Sequence, residues 1–539
     1  MADITSAMAD VKHIDEKKHV ETIIEDGQYA DDREDAAYLE REAALNRELD
    51  AKLAAEPEKL PKAIWFIIPN EFGERFCYYG INPILKKFLT EMLGYSKPKT
   101  NSIQHTWKSV SYFTPLLGAA VSDSFLDKFK TIVSLSFVYL AGLIMLSISA
   151  KPGADHPDGT RGFISPGAPL AALFLISLGT GGIKPCVSSH GGDQFLAVQS
   201  FNINKFYNYF YMSINLGSLI SGFVTPHVRE RNCFGHDGDC FAWAFGICAA
   251  AFGSALVLFI IGKKWYRVVP PSGQFFPWIL AKAAFTYMFR GRARAEEVHT
   301  HAVVLELVDL VKVFYVISPV IVFWLGFDQG NTTWQDTSDQ MDDSHWLSSE
   351  ITNAVVNPFW IVTLAPIFAN WLYPAIEKRV QFGLIRRMVL GMFFAAFAFV
   401  LMALIQKKIT DNCLDEVSLD SNGKEQHACM DRSVNTAVML VPYFFVTVAE
   451  VLVSISGLNL TYMEVGRRTK SSSAALWLLG TGIANAIGAV IMESPLGDTA
   501  QTPRHTFYLV MAAVCVVAGL VQAAFAKLYT YRADRVVKA

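Results

Sequence analysis

Apolar positions along this chain come in long unbroken runs, not in the one-sided stripe of a soluble helix. "TIVSLSFVYLAGLIMLSIS" (131–149), "FAWAFGICAAAFGSALVLFIIG" (241–262) and "TFYLVMAAVCVVAGLVQAAFA" (506–526) show the pattern. Each holds roughly the ~20 apolar residues that carry a helix across a bilayer. Continued along the chain, the pattern predicts twelve spans: 62–88, 103–122, 130–149, 168–189, 204–225, 241–262, 311–328, 354–374, 385–405, 435–463, 472–493 and 505–528. Spans 1, 2, 5 and 10 carry polar stripes, as expected of helices that face other helices and a cavity.

Composition agrees with the pattern. Of 539 residues 52% are apolar and only 18% charged, against about a quarter charged in soluble domains. The chain is therefore read as an all-α polytopic membrane protein. Lys and Arg concentrate in "DKFK" (127–130), "EKRVQFGLIRR" (377–387) and "GRRTK" (466–470), whereas loop 329–353 has none. The positive-inside rule then puts both termini in the cytosol. Cys233 and Cys240 share one loop expected outside, and Cys413 and Cys429 share another. Both pairs are disulfide candidates, with partners that spacing alone does not fix. Cys77, Cys186, Cys248 and Cys515 fall inside spans and are expected simply to pack.

Residues 1–60 hold 17 acidic and 8 basic side chains and are expected to be a mostly disordered cytosolic tail. Between spans 6 and 7, residues 263–310 form a linker whose "FFPWILAKAAFTYMFRGRAR" is basic and amphipathic, suited to lying on a leaflet. It divides the chain into a six-span bundle (61–262), a second (311–528) and a short cytosolic tail (529–539). Six plus six is the layout of carriers that rock two halves about a central site.

The spans contain charges that lipid would not accept. In "NEFGERFCYYG", Glu71, Glu74, Arg75, Tyr78, Tyr79 and Asn82 lie on one helix face. One charge at mid-bilayer costs roughly 2.5–3.5 kcal/mol, so this face is expected to line a cavity. The alternative is an internal salt bridge that only fixes packing. Protonation of a carboxylate paired with Arg dissolves the pair, which gives a switch. Span 2 adds His105 and Tyr112, span 4 Lys184 behind Pro185, span 5 Asn215, span 7 Trp324 and Asp328, and span 10 Glu450. Cations Arg75 and Lys184 in the first half oppose anions Asp328 and Glu450 in the second, a polarity that fits a zwitterion.

These residues occur in familiar strings. "EFGERFCYYG", "GTGGIKPCVSSHGGDQF", "FYMSINLGS" and "FDQGNTTW" resemble, in order, the motifs of the proton-coupled oligopeptide transporter (POT/PTR) family of the major facilitator superfamily. The resemblance covers nearly all of 60–530 and implies twelve helices in two six-helix bundles. It implies proton coupling by Glu71, Glu74, His105 and Asp328. Arg75 and Lys184 would hold a peptide carboxylate, and Asn215, Asn357 and Glu450 its amino terminus. Tyr78, Tyr79, Tyr112, Trp324 and Trp477 would be pocket aromatics, and Asp328 would pair with the first-half cations during gating. Three positions depart from the pattern: Asn82 stands where most members have Arg, Gly330 replaces a Gln, and "YMEVGRR" ends span 10.

The expected activity is therefore proton-driven import of di- and tripeptides across a membrane, with protons as coupling ion. No cofactor, metal, catalytic residue or nucleic-acid partner is expected, and no HExxH, GxSxG or Walker loop occurs. Two alternatives are a carrier of nitrate or another small solute on the same fold, and a peptide-sensing receptor without transport. The plasma membrane is the expected location, with a vacuolar or lysosomal membrane as the alternative; the oligomeric state is open.

Overall fold

A computed structural model describes residues 32–529 apart from 57, 152–166, 197–198, 234–238, 272–275, 300, 343–347, 381, 413, 420–424, 466–469 and 499–500. Twelve helical rods follow the twelve expected spans. Spans 1 to 6 are Ile64–Lys87, Lys97–Ser124, Lys128–Ser149, Ala168–Gly192, Ser200–Arg229 and Phe241–Ile261. Span 7 is His301–Ile317 followed by Val320–Phe327, bent by 51° at a break that contains Pro319. Proline removes a backbone donor and starts the new helix at its first turn. Span 8 is Ser349–Ile367 continued through a π turn into Tyr373–Glu377, and span 9 is Leu384–Asn412. Span 10 is Leu440–Glu450 and Ser456–Met463 joined by a π turn, span 11 is Lys470–Met492 and span 12 is Arg504–Leu528.

By length and apolarity seven of these rods, or eight counting the bent one, would cross a bilayer on their own. Spans 1, 2, 5 and 8 fall short. Span 10, read from sequence as one of the polar spans, passes, because its polar residues are few among valines, leucines and phenylalanines. Span 8 takes its place, with Glu350, Thr352 and Asn353 all buried.

Two large cores result, with two smaller clusters around spans 8 and 10. Phe76, Tyr139, Phe245, Phe252 and Phe259 pack among spans 1 to 6, and Phe323, Trp334, Phe399, Phe507 and Tyr508 among spans 7 to 12. Close backbone approach ties spans 2 and 4 together: a Cβ on Gly118 would collide with the Gly182 backbone.

The two ends of the bundles differ. At one end a three-stranded sheet joins β1 (Met341–Asp342), β2 (Leu414–Leu419) and β3 (Glu425–Asn435) in the order β1–β3–β2, an addition to the all-α expectation. The Cys233–Cys240 disulfide lies at the same end, with Cα atoms 5.1 Å apart. Cys413, the other half of the second candidate pair with Cys429, falls outside the described residues. We call this the disulfide end. The other, the linker end, carries helix Phe276–Val298, which leaves Trp278, Phe285, Met288 and Phe289 exposed on an amphipathic surface. Gly291, at φ 79°, breaks this helix near its middle.

The tail expected to be disordered is a helix over Asp32–Ala55. Asn46, 3% exposed, holds the backbone of Val268 from both sides: its Nδ2 donates to the carbonyl at 2.8 Å, and its Oδ1 accepts from the N–H at 2.8 Å. Arg267 bonds Glu42 at 2.6 Å and Asp50 at 3.0 Å. These anchors give a highly charged helix the tertiary contacts that its composition alone would not. They also hold the Arg267 guanidinium above its ordinary pKa against the opposing effect of its burial.

Candidate functional site

Span 1 presents its polar stripe inward. Arg75 Nε lies 2.7 Å from Glu71 Oε1 and 2.9 Å from Glu74 Oε2, so one guanidinium serves two carboxylates. Both acids are almost fully buried. Glu74 Oε1 also accepts from the Thr180 hydroxyl of span 4. The (i, i+4) order of Glu71 before Arg75 favours the first contact; Glu74, adjacent in sequence, reaches the same guanidinium through its long side chain.

One turn beyond Thr180, Lys184 sends its ammonium between two rings, 4.4 Å from Tyr78 and 4.1 Å from Tyr112. Among the described residues no hydrogen-bond partner holds that ammonium, although it is buried. The rings provide a cation–π seat but no counter-charge. Tyr78 in turn stacks on Trp107 at 5.1 Å and meets Tyr79 edge-on at 5.5 Å.

Across the bundle interface, Asp328 ends the broken span 7. Its partner is neither Arg75 nor Lys184, as expected from sequence, but Lys108 of span 2, at 2.7 Å. The other carboxylate oxygen accepts from Asn485 Nδ2 of span 11 at 2.6 Å. The amide Nδ2 is thereby committed, so Asn485 Oδ1 faces His105 Nδ1 at 2.9 Å and needs a donor there. His105 must carry its proton on Nδ1, which leaves Nε2 to bind a second one. Near Nε2 stand Gln329 Nε2 and Thr332 Oγ1, each at 3.5 Å. His105, Asn485, Asp328 and Lys108 form one chain of contacts linking the two bundles.

Glu450 ends the first half of span 10, directly before the π turn Val451–Ile455. Such turns recur at functional sites because they re-aim the side chains beside them. Asn357 of span 8 donates to Glu450 at 2.8 Å and to Thr447 at 3.0 Å. Trp324 and Trp477 meet edge-on at 6.0 Å. Asn215 stays on its own helix and donates to the Tyr211 carbonyl at 2.8 Å; it contacts neither Asn357 nor Glu450. The structure thus places the expected residues in three groups: the Arg75 triad with Lys184, the His105–Asp328 chain, and Glu450 with Asn357.

Sequence reasoning missed Lys108 and Asn485. Lys108 stands three residues after His105 in "HTWK", one helical turn on, and that spacing was the available signal. Asn485 had none, being an uncharged residue in a small-residue helix. A further group was also missed. At the disulfide end Asp336 takes Lys86 at 2.7 Å, Asn101 at 2.9 Å and Arg504 at 3.6 Å. Glu350 takes Arg229 at 2.5 Å and Lys87 at 3.4 Å. Both clusters join spans of opposite bundles. Asn82 is buried beside this region with its Oδ1 unpaired, and Gly330 O accepts from Tyr443 at 2.9 Å. Among the described residues no group of His, Cys, Asp and Glu is arranged to hold a metal.

Comparison with known proteins gives a consistent result. The family model described as "POT family" matches residues 129–306 and 292–504. Solute carrier family 15 member 2 of Mus musculus is 36% identical over 366 residues, 65% of this chain and 49% of its own length. Peptide transporter family 1 of Drosophila melanogaster is 36% identical over 378 residues, 67% of this chain and 50% of its own. The chain thus spans about half the length of the curated relatives it matches. Among solved structures, the POT family transporter PepTSo superposes with a TM-score of 0.72 at 25% identity, covering 87% of this chain and 99% of that one. A POT peptide transporter solved in complex with alafosfalin gives a TM-score of 0.68 at 22% identity, covering 90% and 99%. With its two six-helix bundles and its motifs in matching order, the chain belongs to the POT family.

Proposed function

We propose that this chain is a proton-coupled symporter of di- and tripeptides that works by alternating access. The observation that carries the reading is the sharing of Arg75 between Glu71 and Glu74. A cation already neutralised twice over has no charge to offer an incoming carboxylate. Protonation of one glutamate releases part of the guanidinium, which can then take the peptide's carboxylate together with Lys184, whose ammonium has no counter-ion contact. Glu450, backed by Asn357 in the other bundle, supplies the negative charge for the peptide's amino terminus. Asn215 is a weaker candidate for that end, since its amide is turned back to its own helix. The tyrosines and tryptophans offer surface to side chains of many shapes.

With the linker and both termini cytosolic, the disulfide end is the outside, consistent with its formed cystine. The Asp336 and Glu350 clusters then close the outer side, and the His105–Asn485–Asp328–Lys108 chain sits on the path between that closure and the Arg75 triad. Protons enter this chain at His105 Nε2. Release of Asp328 from Lys108 lets the bundles part. The membrane is proposed to be the cell surface, with protons as the coupling ion and no cofactor.

The test is uptake of labelled dialanine into proteoliposomes with and without an inward proton gradient, for the wild type and Glu74→Gln. Accumulation that depends on the gradient in the wild type is expected. In Glu74→Gln that accumulation is expected to vanish while exchange of labelled for unlabelled dialanine persists. Equal gradient-driven accumulation in a folded Glu74→Gln protein would overturn the coupling role, and failure of the wild type to take up any dipeptide would overturn the substrate.

A further inference from the structure

A cavity of about 120 Å³ opens at the linker end of the first bundle, away from the peptide site, where spans 3, 4 and 6 meet the start of the linker. Its volume far exceeds the ~10–15 Å³ that one water needs. Lys128, Lys130, Lys263 and Arg267 line it against Asp127 and Asp193, so the lining carries a surplus of two positive charges. Three of the cations are already engaged: Lys128 with Asp193 at 2.6 Å, Lys130 with Asp127 at 2.8 Å, and Arg267 with Glu42 and Asp50 of the N-terminal helix. Lys263 has no carboxylate partner among the described residues, and its ammonium stands 5.7 Å from the Phe129 ring.

His190 lines the same cavity. It is 3% exposed, and its Nε2 has no hydrogen-bond partner among the described residues. Tyr266 meets its ring edge-on at 4.9 Å and fixes its plane. A buried polar atom without a partner is uncommon and asks for an explanation. An uncommitted cation and an uncommitted imidazole nitrogen in one cavity are the parts of an anion site.

Basic and aromatic side chains surround the cavity in sequence and on the surface. Lys264 lies 4.1 Å over Trp265, which stacks on Phe66 at 4.7 Å, and Phe125 is 71% exposed in the adjoining turn. Aromatic and basic residues mixed in this way mark the headgroup region of a bilayer. We propose that this cavity binds a phosphate group, presented by an anionic lipid headgroup. Lys263 is its free cation, Lys130 assists at the rim, and His190 Nε2–H donates from the floor. The site is separate from peptide transport and does not depend on the function proposed above.

The experiment uses the full chain in nanodiscs of phosphatidylcholine alone or with added phosphatidic acid, and, in a third arm, in phosphatidylcholine with inorganic phosphate in solution at matched ionic strength. Native mass spectrometry counts retained lipid, and thermal unfolding reports stabilisation. Wild type should retain phosphatidic acid over phosphatidylcholine and unfold at a higher temperature with it. A basic residue near a membrane surface is worth about a fivefold change in affinity, so Lys263→Gln should lower retention about fivefold and Lys263→Gln with Lys130→Gln further. His190→Phe, which fills the space without the nitrogen, should lower it as well, while Lys282→Gln on the exposed linker helix should not. Lys263 and Lys130 are exposed and not needed for packing, so their variants remain folded tests even if His190→Phe does not fold. Stabilisation by inorganic phosphate equal to that by the lipid, and lost in Lys263→Gln, would keep the site and change its source to free phosphate. No preference for phosphatidic acid and no response to phosphate in the wild type, or unchanged retention in the double variant, would overturn the proposal.

Discussion

The contact between Lys108 and Asp328 permits a quantitative test. Two unit charges 2.7 Å apart attract by about 6 kcal/mol at an effective dielectric constant of ~20. Burial of both ions opposes this by several kcal/mol each. The pair as a whole therefore contributes little net stability, but either member left alone is expensive. Lys108→Met leaves the Asp328 carboxylate buried with only the Asn485 amide, and Asp328→Asn leaves the Lys108 ammonium with nothing comparable. Each single variant is expected to lose about 3–5 kcal/mol, and the double variant to come back to within about 1–2 kcal/mol of wild type. For a chain of this size that is a fall of about 3–5 °C in the singles, scaling the usual dependence of midpoint on length. Thermal unfolding of detergent-solubilised wild type, both singles and the double completes the cycle, and its coupling energy isolates the pair. Additive losses, or a single variant as stable as wild type, would refute the reasoning. The same double variant, although stable, should lose gradient-driven uptake, because the charge that parts during gating is gone.

Four further outcomes follow from other contacts. Asp336→Asn strips the counter-ion from Lys86 and Arg504 and should open the disulfide end, seen as at least tenfold faster alkylation of a cysteine introduced at Asn101, for a loss of about 1.4 kcal/mol or more. Asn46→Ala removes both hydrogen bonds to the Val268 backbone, costs about 1–3 kcal/mol of local stability and should raise amide exchange across 40–55 with transport unchanged. Gly118→Leu drives a side chain into the Gly182 backbone and should cost at least 1–3 kcal/mol, read as loss of the monodisperse peak. At the exposed Lys99–Glu493 pair, the lysine holds the Glu493 carboxyl below its ordinary pKa. Its contribution is therefore present above that ordinary value and fades as pH falls through the lowered one; Lys99→Ala should shift the midpoint at neutral pH by less than about 1 kcal/mol equivalent.

Much of the fold was legible because lipid imposes one rule on every residue of a span: apolar or facing inward. That rule located the rods and gathered Glu71, Glu74, Arg75, Lys184, Asp328 and Glu450 as inward-facing. It could not pair them. Lys108 and Lys184 look equivalent as buried lysines, and only the break of span 7 at Pro319, which sets where Asp328 arrives, selects Lys108. From sequence the N-terminal helix reads as no more than a transient helix in a mostly disordered tail, for a different reason. Its charge pattern matches a solvated segment, and what anchors it is Asn46 on the Val268 backbone together with Arg267 on Glu42 and Asp50, all more than two hundred positions away. Asn485 belongs to the same class: a neutral amide becomes decisive only when its two ends face a carboxylate and an imidazole at once.

The geometry also explains why the span 1 stripe carries two acids for one base. With a single glutamate, Arg75 would be released in full by one proton, and the deprotonated state would be a neutral pair indifferent to substrate. With Glu71 and Glu74 both on Nε, the unprotonated triad has net charge −1 and repels a peptide carboxylate. Under the proposed symport, one proton brings it to zero with the guanidinium still held by the remaining acid, so that a peptide would bind without a freely solvated cation appearing in the cavity. Thr180, bonded to Glu74, gives that carboxylate a second partner besides Arg75. The two glutamates then differ in role: Glu71→Gln should mimic the loaded triad and bind dipeptide without a proton, whereas Glu74→Gln, with Arg75 still held by Glu71, should keep dialanine exchange and lose gradient-driven accumulation. Dialanine affinity measured against pH separates them. Affinity in Glu71→Gln should be level across the range where wild type rises on acidification, and a wild-type slope in Glu71→Gln would assign the first proton to Glu74 instead.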